Sequence, residues 1–479
     1  MRARISRRGI AFAIVLCVAA SLVVLLRPAA PVEAGPKALP AGGKAVAHRA
    51  GGKKVSYKGA RPVPKLFDTG HPGGEPTLGV TKQGEIFFPS IDVYAVNAVE
   101  LIRSSDRGET WEVTSPRTGP AKTHPASLDP YVFVDRPTNR VFNIDLTVAC
   151  SIMSFSDDRG ETWTSNPLAC GRPVNDHHTL FAGPPAVSPT VGYPHIVYYC
   201  WNDVASSSCS KSLDGGLTFH PTGSPAFTGV QPSAGGDSGN PAPFCGGLHG
   251  HGVVDTKGTV YLPKESCLQP WLGISEDEGR TWRNVKVSPK SAGDALLDPS
   301  VDVDAKGNIY YTWVGGDRRI YLAISKDGGN TWTKAKDIRS PGVREVDLPS
   351  IDVSKPGHVA ISYLGSENSP WKPNCKNCTN DKYAKTTWNG YVTVTKNALA
   401  KKPLFLSTSV NSKADPFFRR RCGPGRCQNA FDFVDVVIAN DGTVYTPWVD
   451  GCYGACIESD TLPSSGNAGV VARLDGFRL

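Results

Sequence analysis

The chain contains five copies of one eight-residue turn, Ser-x-Asp-x-Gly-x-Thr-Trp, and this repeat constrains the fold more than any other feature. Phe219 replaces the Trp in the third copy. Successive copies begin about 50 to 60 residues apart, a period that fits one four-stranded propeller blade. The five copies are Ser104–Trp111, Ser156–Trp163, Ser212–Phe219, Ser275–Trp282 and Ser325–Trp332.

Each position of this turn has a structural role. The aspartate carboxylate can accept backbone N–H groups of its own turn, the glycine supplies a positive φ, and Thr with Trp begins the next strand. The aromatic ring is then placed to pack between adjacent sheets. We therefore interpret the aspartates as structural acceptors and not as catalysts: Asp106, Asp158, Asp214, Asp277 and Asp327.

A second repeat marks the first strand of each blade. Its clearest copies are Glu75–Val80, Asp129–Val134, Asp298–Val303 and Leu348–Val353. With three looser copies, the sequence predicts an all-β fold: a seven-bladed β-propeller with four-stranded antiparallel blades, with six blades as the alternative. The last blade has only about three strands before Leu479, so we expect Arg61–Asp68 to supply its outer strand.

Composition agrees with this fold class. The 50 Gly and 39 Pro suit a chain with many turns, and no long stretch beyond the N-terminus has a helical apolar period. The net charge of +8 is spread over 479 residues, and no basic stretch alternates with aromatic residues. We therefore expect no nucleic-acid partner.

The N-terminus is expected to direct export. Arginines precede an apolar run from Ile10 to Leu26, and small residues near Ala34 are typical of a signal peptidase site. We assign residues 1–34 to a signal peptide or membrane anchor, 35–60 to a disordered basic linker, and 61–479 to the propeller domain. The protein is expected to be a monomer that is secreted or extracytoplasmic, with an uncleaved N-terminal membrane anchor as the alternative.

The cysteines also favour an oxidising compartment. Twelve of the 13 lie beyond the apolar run, and we group them into six local pairs that we interpret as disulfides. A zinc site is the alternative for four of them, Cys375, Cys378, Cys422 and Cys427. The proposed pairs are Cys150–Cys170, Cys200–Cys209, Cys245–Cys267, Cys375–Cys378, Cys422–Cys427 and Cys452–Cys456.

The five turns resemble those of the Asp-box, or bacterial neuraminidase repeat, sialidase-like β-propeller superfamily, from about Arg61 to the end of the chain. Members include sialidases, other glycoside hydrolases, lyases, sorting receptors and assembly factors, so the resemblance implies a fold more than a chemistry. Sialidases share an Arg-Ile-Pro signature whose Arg binds the substrate carboxylate. Here Gly74 and Glu75 stand where that Arg and Ile would be, so sialidase activity is not expected.

Alignment of the blades places ionisable residues in a ring where the first strands begin, which borders the central funnel in propellers of this type. Glu75, Asp129, His249 and Asp298 share one position and are the candidate catalytic residues. The candidate substrate-binding residues lie beside this ring or, for Arg420, in an arginine-rich loop suited to an anion: His177, His178, His251, Tyr131, Asp347, Asp435 and Arg420.

Three interpretations of this ring stay open. A carboxylate pair could act on a glycosidic bond, or His and Asp together could bind a divalent cation. Alternatively, the repeated acids tie the first strand of one blade to its neighbour by accepting backbone N–H bonds. The histidines depart from the repeat in two consecutive blades, which favours a functional role for them.

The sequence thus predicts a propeller that acts on an extracellular glycan or glycoprotein as a glycoside hydrolase or lyase-like enzyme and is not a true sialidase. The alternative is a non-catalytic propeller that binds a glycan or a protein. We assign no cofactor, and a divalent cation remains an open alternative.

Overall fold

The computed structural model describes most of the chain between residues 38 and 479, and these residues belong to one compact unit, Pro36–Leu479. The expected export signal, 1–34, lies outside the described residues. No helix within the described ranges could span a bilayer. Those ranges are 38–92, 98–115, 127, 129–147, 150–167, 176–203, 206–228, 247–292, 298–372, 383–420, 434–452, 456 and 466–479.

The described residues form 32 strands in seven antiparallel sheets, the number of blades expected from the two repeats. Four strands precede the first blade: β1 (Ala38–Leu39), β2 (Val46–Arg49), β3 (Lys53–Lys54) and β4 (Val63–Pro72).

Blades 1 to 5 are four-stranded sheets, and in each the strands are ordered along the chain from the centre outward. Their strands are β5 (Gly79–Val80), β6 (Ile86–Asp92), β7 (Ala98–Ser104) and β8 (Glu112–Val113) in blade 1; β9 (Pro130–Asp135), β10 (Arg140–Thr147), β11 (Cys150–Ser156) and β12 (Thr164–Pro167) in blade 2; β13 (Asp176–Gly183), β14 (Ile196–Asn202), β15 (Ser207–Ser212) and β16 (His220–Pro221) in blade 3; β17 (Val253–Val254), β18 (Val260–Ser266), β19 (Gln269–Ser275) and β20 (Arg283–Lys286) in blade 4; and β21 (Ser300–Val303), β22 (Ile309–Val314), β23 (Ile320–Ser325) and β24 (Lys336–Asp337) in blade 5.

The last two blades recruit strands from the N-terminus. Blade 6 contains β25 (Glu345–Lys355), β26 (His358–Ser366), β27 (Thr387–Thr395) and β28 (Phe405–Ser409), with the short β29 (Phe418–Arg419) paired to β27. Blade 7 contains β30 (Val437–Ile438), β31 (Val444–Asp450) and β32 (Ala468–Asp475).

Strand β4 completes blade 7, as expected for Arg61–Asp68. It pairs antiparallel with β32, with Phe67 opposite Val471 and Leu66 opposite Ala472. The N-terminal part of the domain is therefore joined to its C-terminal end. This pairing closes the ring and covers the edge that β32 would otherwise expose.

The prediction that residues 35–60 form a disordered linker is wrong for the part that the structure describes. Strand β2 pairs with β28 at the outer edge of blade 6, and β3 pairs with β2. Ala45, Ala47 and His48 are buried there, and His48 Nε2 lies 2.6 Å from Ser407 Oγ. The free edge of blade 6 supplies the backbone partners that this small-residue segment lacks by itself.

The eight-residue turns have the geometry that their residues predict. In the second copy, Asp158 accepts hydrogen bonds from the backbone N–H of Thr162 (2.9 Å) and from its hydroxyl (2.6 Å). Gly160 has a φ of 91°, and its N–H donates to Ser156 Oγ at 2.8 Å. These bonds to Thr162 lower the pKa of Asp158 to about 2. The carboxylate is therefore committed to its own turn.

Apolar residues fill the spaces between neighbouring blades. Phe142 and Ile144 of blade 2 pack with Leu180 and Tyr199 of blade 3. The Trp163 ring packs against the apolar cluster between blades 1 and 2, as the turn motif predicts.

Two of the predicted disulfides are present, Cys200–Cys209 between the middle strands of blade 3 and Cys452–Cys456 after β31. The other four predicted pairs include at least one cysteine outside the described residues.

Candidate functional site

A central cavity of about 700 Å³ runs along the first strands of all seven blades. In each blade, the position two residues after the ring of ionisable residues forms a second level, or tier, around the axis. Five residues of this tier line the cavity: Tyr131, His251, Ser300, Ser350 and Asp435. The structure therefore brings Tyr131, His251 and Asp435, all candidate substrate-binding residues, to one cavity.

Polar side chains at these positions connect three pairs of neighbouring blades. The backbone N–H of Val132 donates to Thr77 Oγ1 (2.9 Å), and that of Leu78 donates to Asp435 Oδ2 (3.0 Å). Ser300 Oγ accepts from Ile351 N in the same way. This is the strand-tying role that we considered for the repeated acids.

Two residues further along the first strands, two aspartates also tie one blade to the next. Asp302 Oδ2 accepts the N–H of Val353 at 2.6 Å, and Asp352 Oδ2 accepts the N–H of Ile438 at 2.6 Å. Arg136 also donates to Asp352 Oδ2 at 2.8 Å. The alignment of the blades did not single out this tier, although Ser-Val-Asp-Val and Ser-Ile-Asp-Val recur in the sequence.

Two carboxylates on the cavity wall hold their protons more tightly than usual. Burial raises the pKa of Asp435 to about 7 against its backbone hydrogen bonds. Burial, followed by the charge of Asp352, raises the pKa of Asp302 well above its usual range. Protonation of Asp435 therefore persists into the neutral pH range.

A second polar cluster lies where the first strands of blades 3 to 5 begin. His177 Nδ1 is 2.6 Å from Asp298 Oδ2, and both side chains are buried. His177 has a φ of 43° and lies in a register shift between Asp176 and Thr179. Such a bulge redirects side chains, and a positive φ in a residue other than glycine marks backbone strain that is frequent at functional sites.

Three further imidazoles surround this pair. The ring of His251 meets the Tyr131 ring edge-on at 4.9 Å between centroids, and the ring of His178 also lies edge-on to Tyr131, at 6.0 Å. His249 Nδ1 lies 3.0 Å from the carbonyl of Gly250. Within the described part of the chain, neither ring nitrogen of His178 nor Nε2 of His249 has a hydrogen-bond partner.

These imidazoles are neutral at ordinary pH. Burial, followed by the charges of neighbouring histidines, lowers the pKa of His178 to about 3 and that of His251 to about 3. Burial also lowers the pKa of His249 well below its usual range. Neutral rings can accept as well as donate hydrogen bonds, and buried nitrogens without partners are unfavourable unless something binds them.

Lys264 belongs to this cluster but carried no signal in the sequence. It lies opposite His249 in an isolated β-bridge, and its Nζ donates to Ser207 Oγ at 2.9 Å and to Asn202 Oδ1 at 3.2 Å. Burial lowers its pKa to about 8, while the charges of Glu265 and then Asp298 act in the opposite direction. Only the register of the strands, which sequence alone does not give, places this lysine beside the histidines.

The other eight candidates, the His177–Asp298 pair included, are not among the residues that line the cavity. Asp129 is half-buried at the start of blade 2, and Glu75 is buried with a φ of 46°. Asp347 Oδ1 accepts the N–H of Leu348 at 3.1 Å. Arg420 lies beside β27, where its carbonyl accepts Trp388 Nε1 at 2.8 Å.

The structure gives no support for a cation in the described residues. No group of three or more His, Cys, Asp or Glu side chains in the described ranges is arranged to hold a metal ion. The four cysteines considered for zinc lie outside those ranges.

Comparison with known proteins gives remote similarities. No family model matches the chain. A xyloglucanase from Paenibacillus sp is 26% identical over an alignment of 212 residues, and the match covers 40% of this chain. The match spans only 19% of the xyloglucanase.

Solved structures that resemble this one remotely include sialidases and a lectin. A Hadza microbial sialidase has a TM-score of 0.40 and 16% identity, covering 62% of this chain and 64% of the sialidase. Trypanosoma rangeli sialidase has a TM-score of 0.41 and 12% identity, covering 92% of this chain and 60% of that protein. Aleuria aurantia lectin with alpha-methyl-L-fucoside has a TM-score of 0.41 and 11% identity, covering 73% of this chain and 99% of the lectin. The propeller assignment rests on the sheets described above.

Proposed function

We propose that the propeller binds a glycan in its central cavity and acts on it as a glycoside hydrolase or lyase-like enzyme. The observation that carries this proposal is the buried His177–Asp298 pair, 2.6 Å apart, beside imidazoles with unused hydrogen-bonding capacity. A carboxylate bound to one ring nitrogen fixes the tautomer and orientation of an imidazole, so that the other nitrogen can exchange a proton with substrate.

In this proposal the surrounding residues contact the sugar and form hydrogen bonds with it. Tyr131 and His251 stand on the cavity wall, where an aromatic surface can cover the apolar face of a sugar ring. Burial, followed by the charge of Asp435, raises the pKa of Tyr131, so its hydroxyl stays protonated and can donate a hydrogen bond. His178 and His249 supply further polar atoms, and Asp129 and Glu75 remain predicted members of the same ring.

The reaction that we propose is not that of a sialidase. Among the described wall residues Arg136 is the single arginine, and it is already bound to Asp352. Gly74 stands where the sialidase signature has its arginine. A sialic acid carboxylate would therefore lack the bidentate guanidinium contact that distinguishes it from a neutral sugar.

A glycan- or protein-binding propeller without catalysis is the second candidate. It is favoured by the use of Asp302, Asp352 and Asp435 as strand ties, because these three acids line the cavity and each accepts a backbone N–H group of a neighbouring blade. Turnover of a bound glycan would distinguish the enzyme from the non-catalytic binding protein.

The proposed site of action is outside the cytoplasm, on an extracellular glycan or glycoprotein. Cys200–Cys209 and Cys452–Cys456 support this, because disulfides persist in oxidising compartments. The predicted export signal in residues 1–34 agrees with it.

The test combines a glycan array, with xyloglucan included, and measurement of sugar release from the glycan that binds. Asp298→Asn should lower kcat by about a hundredfold with little change in KM, because it removes the orienting carboxylate from His177. The matched control is Asp214→Asn, the same chemical change in an eight-residue turn, which should leave kcat within about twofold. Equal loss in both variants, or full activity in Asp298→Asn, would contradict the proposed role of this pair.

A further inference from the structure

A second cavity, of about 590 Å³, lies between the outer edges of blades 5 and 6. Its wall is built from Thr333–Asp337 of blade 5, from Ala398–Lys401 between β27 and β28, and from Ala50 and Gly51 in the β2–β3 turn. The two cavities share no lining residue.

The wall of this second cavity is strongly basic. Its lining residues include four lysines, Lys326, Lys334, Lys336 and Lys401. None of these four lysines forms an ion pair with a carboxylate in the described residues. The single acid on the wall, Asp337, is held by Arg339, whose Nε lies 3.1 Å from Asp337 Oδ2. We name these four lysines the lysine pocket.

Further cations flank the lysine pocket. Arg49 and Lys53 belong to the hairpin that forms one side of it, and Arg49 donates to the carbonyl of Lys402 at 2.7 Å. Burial, followed by the charge of Lys326, lowers the pKa of Lys336. Like charges are thus crowded around a concave surface, and an anion bound there would relieve their repulsion.

The wall also restricts which polyanion fits. No aromatic side chain stands among its described residues, so it offers no surface on which nucleic-acid bases could stack. Lysine ammonium groups act as point charges on flexible stems and accept anions of varied geometry, such as carboxylate and sulfate.

We propose that the lysine pocket binds an acidic polysaccharide through its carboxylate or sulfate groups. The pocket would hold the polymer at a place separate from the central cavity. That the anion belongs to a polysaccharide rests on the proposed function, whereas the anion site rests on the lysines alone.

Titration calorimetry with polygalacturonate and with dextran sulfate tests this proposal and distinguishes carboxylate from sulfate. We expect at least one polymer to bind the wild-type protein, and more weakly as salt is added. Replacing all four lysines of the pocket by Gln should weaken binding about tenfold or more. The control variant replaces four exposed lysines elsewhere, removes the same charge and should keep affinity within about twofold: Lys58→Gln, Lys257→Gln, Lys286→Gln and Lys306→Gln.

Equal weakening in the two variants would mean that net charge alone drives binding and would overturn the proposal. The proposal would also be overturned if neither polymer bound. It would equally be overturned if an oligonucleotide bound the lysine pocket as tightly as the polysaccharides do. Ala182→Trp, which is designed to narrow the central cavity, separates this proposal from the previous one. It should abolish glycan binding in the central cavity and leave polymer binding at the lysine pocket unchanged.

Discussion

Glu278 allows a quantitative test of how the blades are held together. Its side chain is fully buried in the eight-residue turn of blade 4. Its Oε1 accepts three backbone N–H groups from a loop of blade 3, those of Ala186 (3.0 Å), Val187 (2.7 Å) and Ser188 (2.8 Å). Lys211 Nζ donates to Oε2 at 2.7 Å.

The contribution of Glu278 to the free energy of unfolding follows from the pKa of its carboxyl group. Burial acts to raise it, but the bonds from Lys211 and Ser188 outweigh burial and lower the pKa from 4.5 to about 2. At ~1.4 kcal/mol per pKa unit, the ionised form contributes about 3 kcal/mol to the free energy of unfolding. Because the folded-state pKa is depressed, this contribution is complete above pH 4.5 and is lost as the pH falls towards 2.

Glu278→Gln should therefore lower the free energy of unfolding by about 3 kcal/mol at neutral pH and by much less near pH 2.5. Urea denaturation followed by tryptophan fluorescence at the two pH values measures both differences. Glu276→Gln, an exposed neighbour, is the control and should change stability by less than about 0.5 kcal/mol. A loss of the same size at both pH values would refute the assignment of the effect to the ionised carboxylate.

Two further predictions concern the cavity wall. Asp352→Asn should lower the melting temperature by several degrees, because Arg136 loses its charged partner; a calorimetric scan that shows no decrease would refute this role for Asp352. The wild-type protein should release no sialic acid from a fluorogenic sialoside above background, since Gly74 replaces the signature arginine; turnover that a single substitution at Asp298 abolishes would contradict this.

The periodic features of the chain could be predicted from sequence. The eight-residue turn encodes its own hydrogen bonds within a few residues, so its geometry and its structural role follow from local chemistry. The spacing of the turns then gives the blade, and the shortage of strands near Leu479 gives the closure by β4.

The features that were missed depend on contacts between distant parts of the chain. The Ala- and Lys-rich segment around Val46–Arg49 becomes a strand only because blade 6 leaves an edge for it. Lys264 joins the histidines only through the register of β18 against His249. The strand-tying aspartates Asp302 and Asp352 repeat in the sequence, but their acceptor role requires the neighbouring blade to be in place.

The central claim, that a glycan occupies the central cavity, is tested most directly by narrowing that cavity. Ala182 lines the cavity beside the apolar cluster between blades 2 and 3, so we expect Ala182→Trp to narrow the space that the sugar would occupy. The control is Ala305→Trp in an exposed turn. We predict that binding of the glycan selected on the array falls at least about tenfold in Ala182→Trp and stays within about twofold in Ala305→Trp. Undiminished binding by a folded Ala182→Trp protein would place the glycan elsewhere and contradict the account.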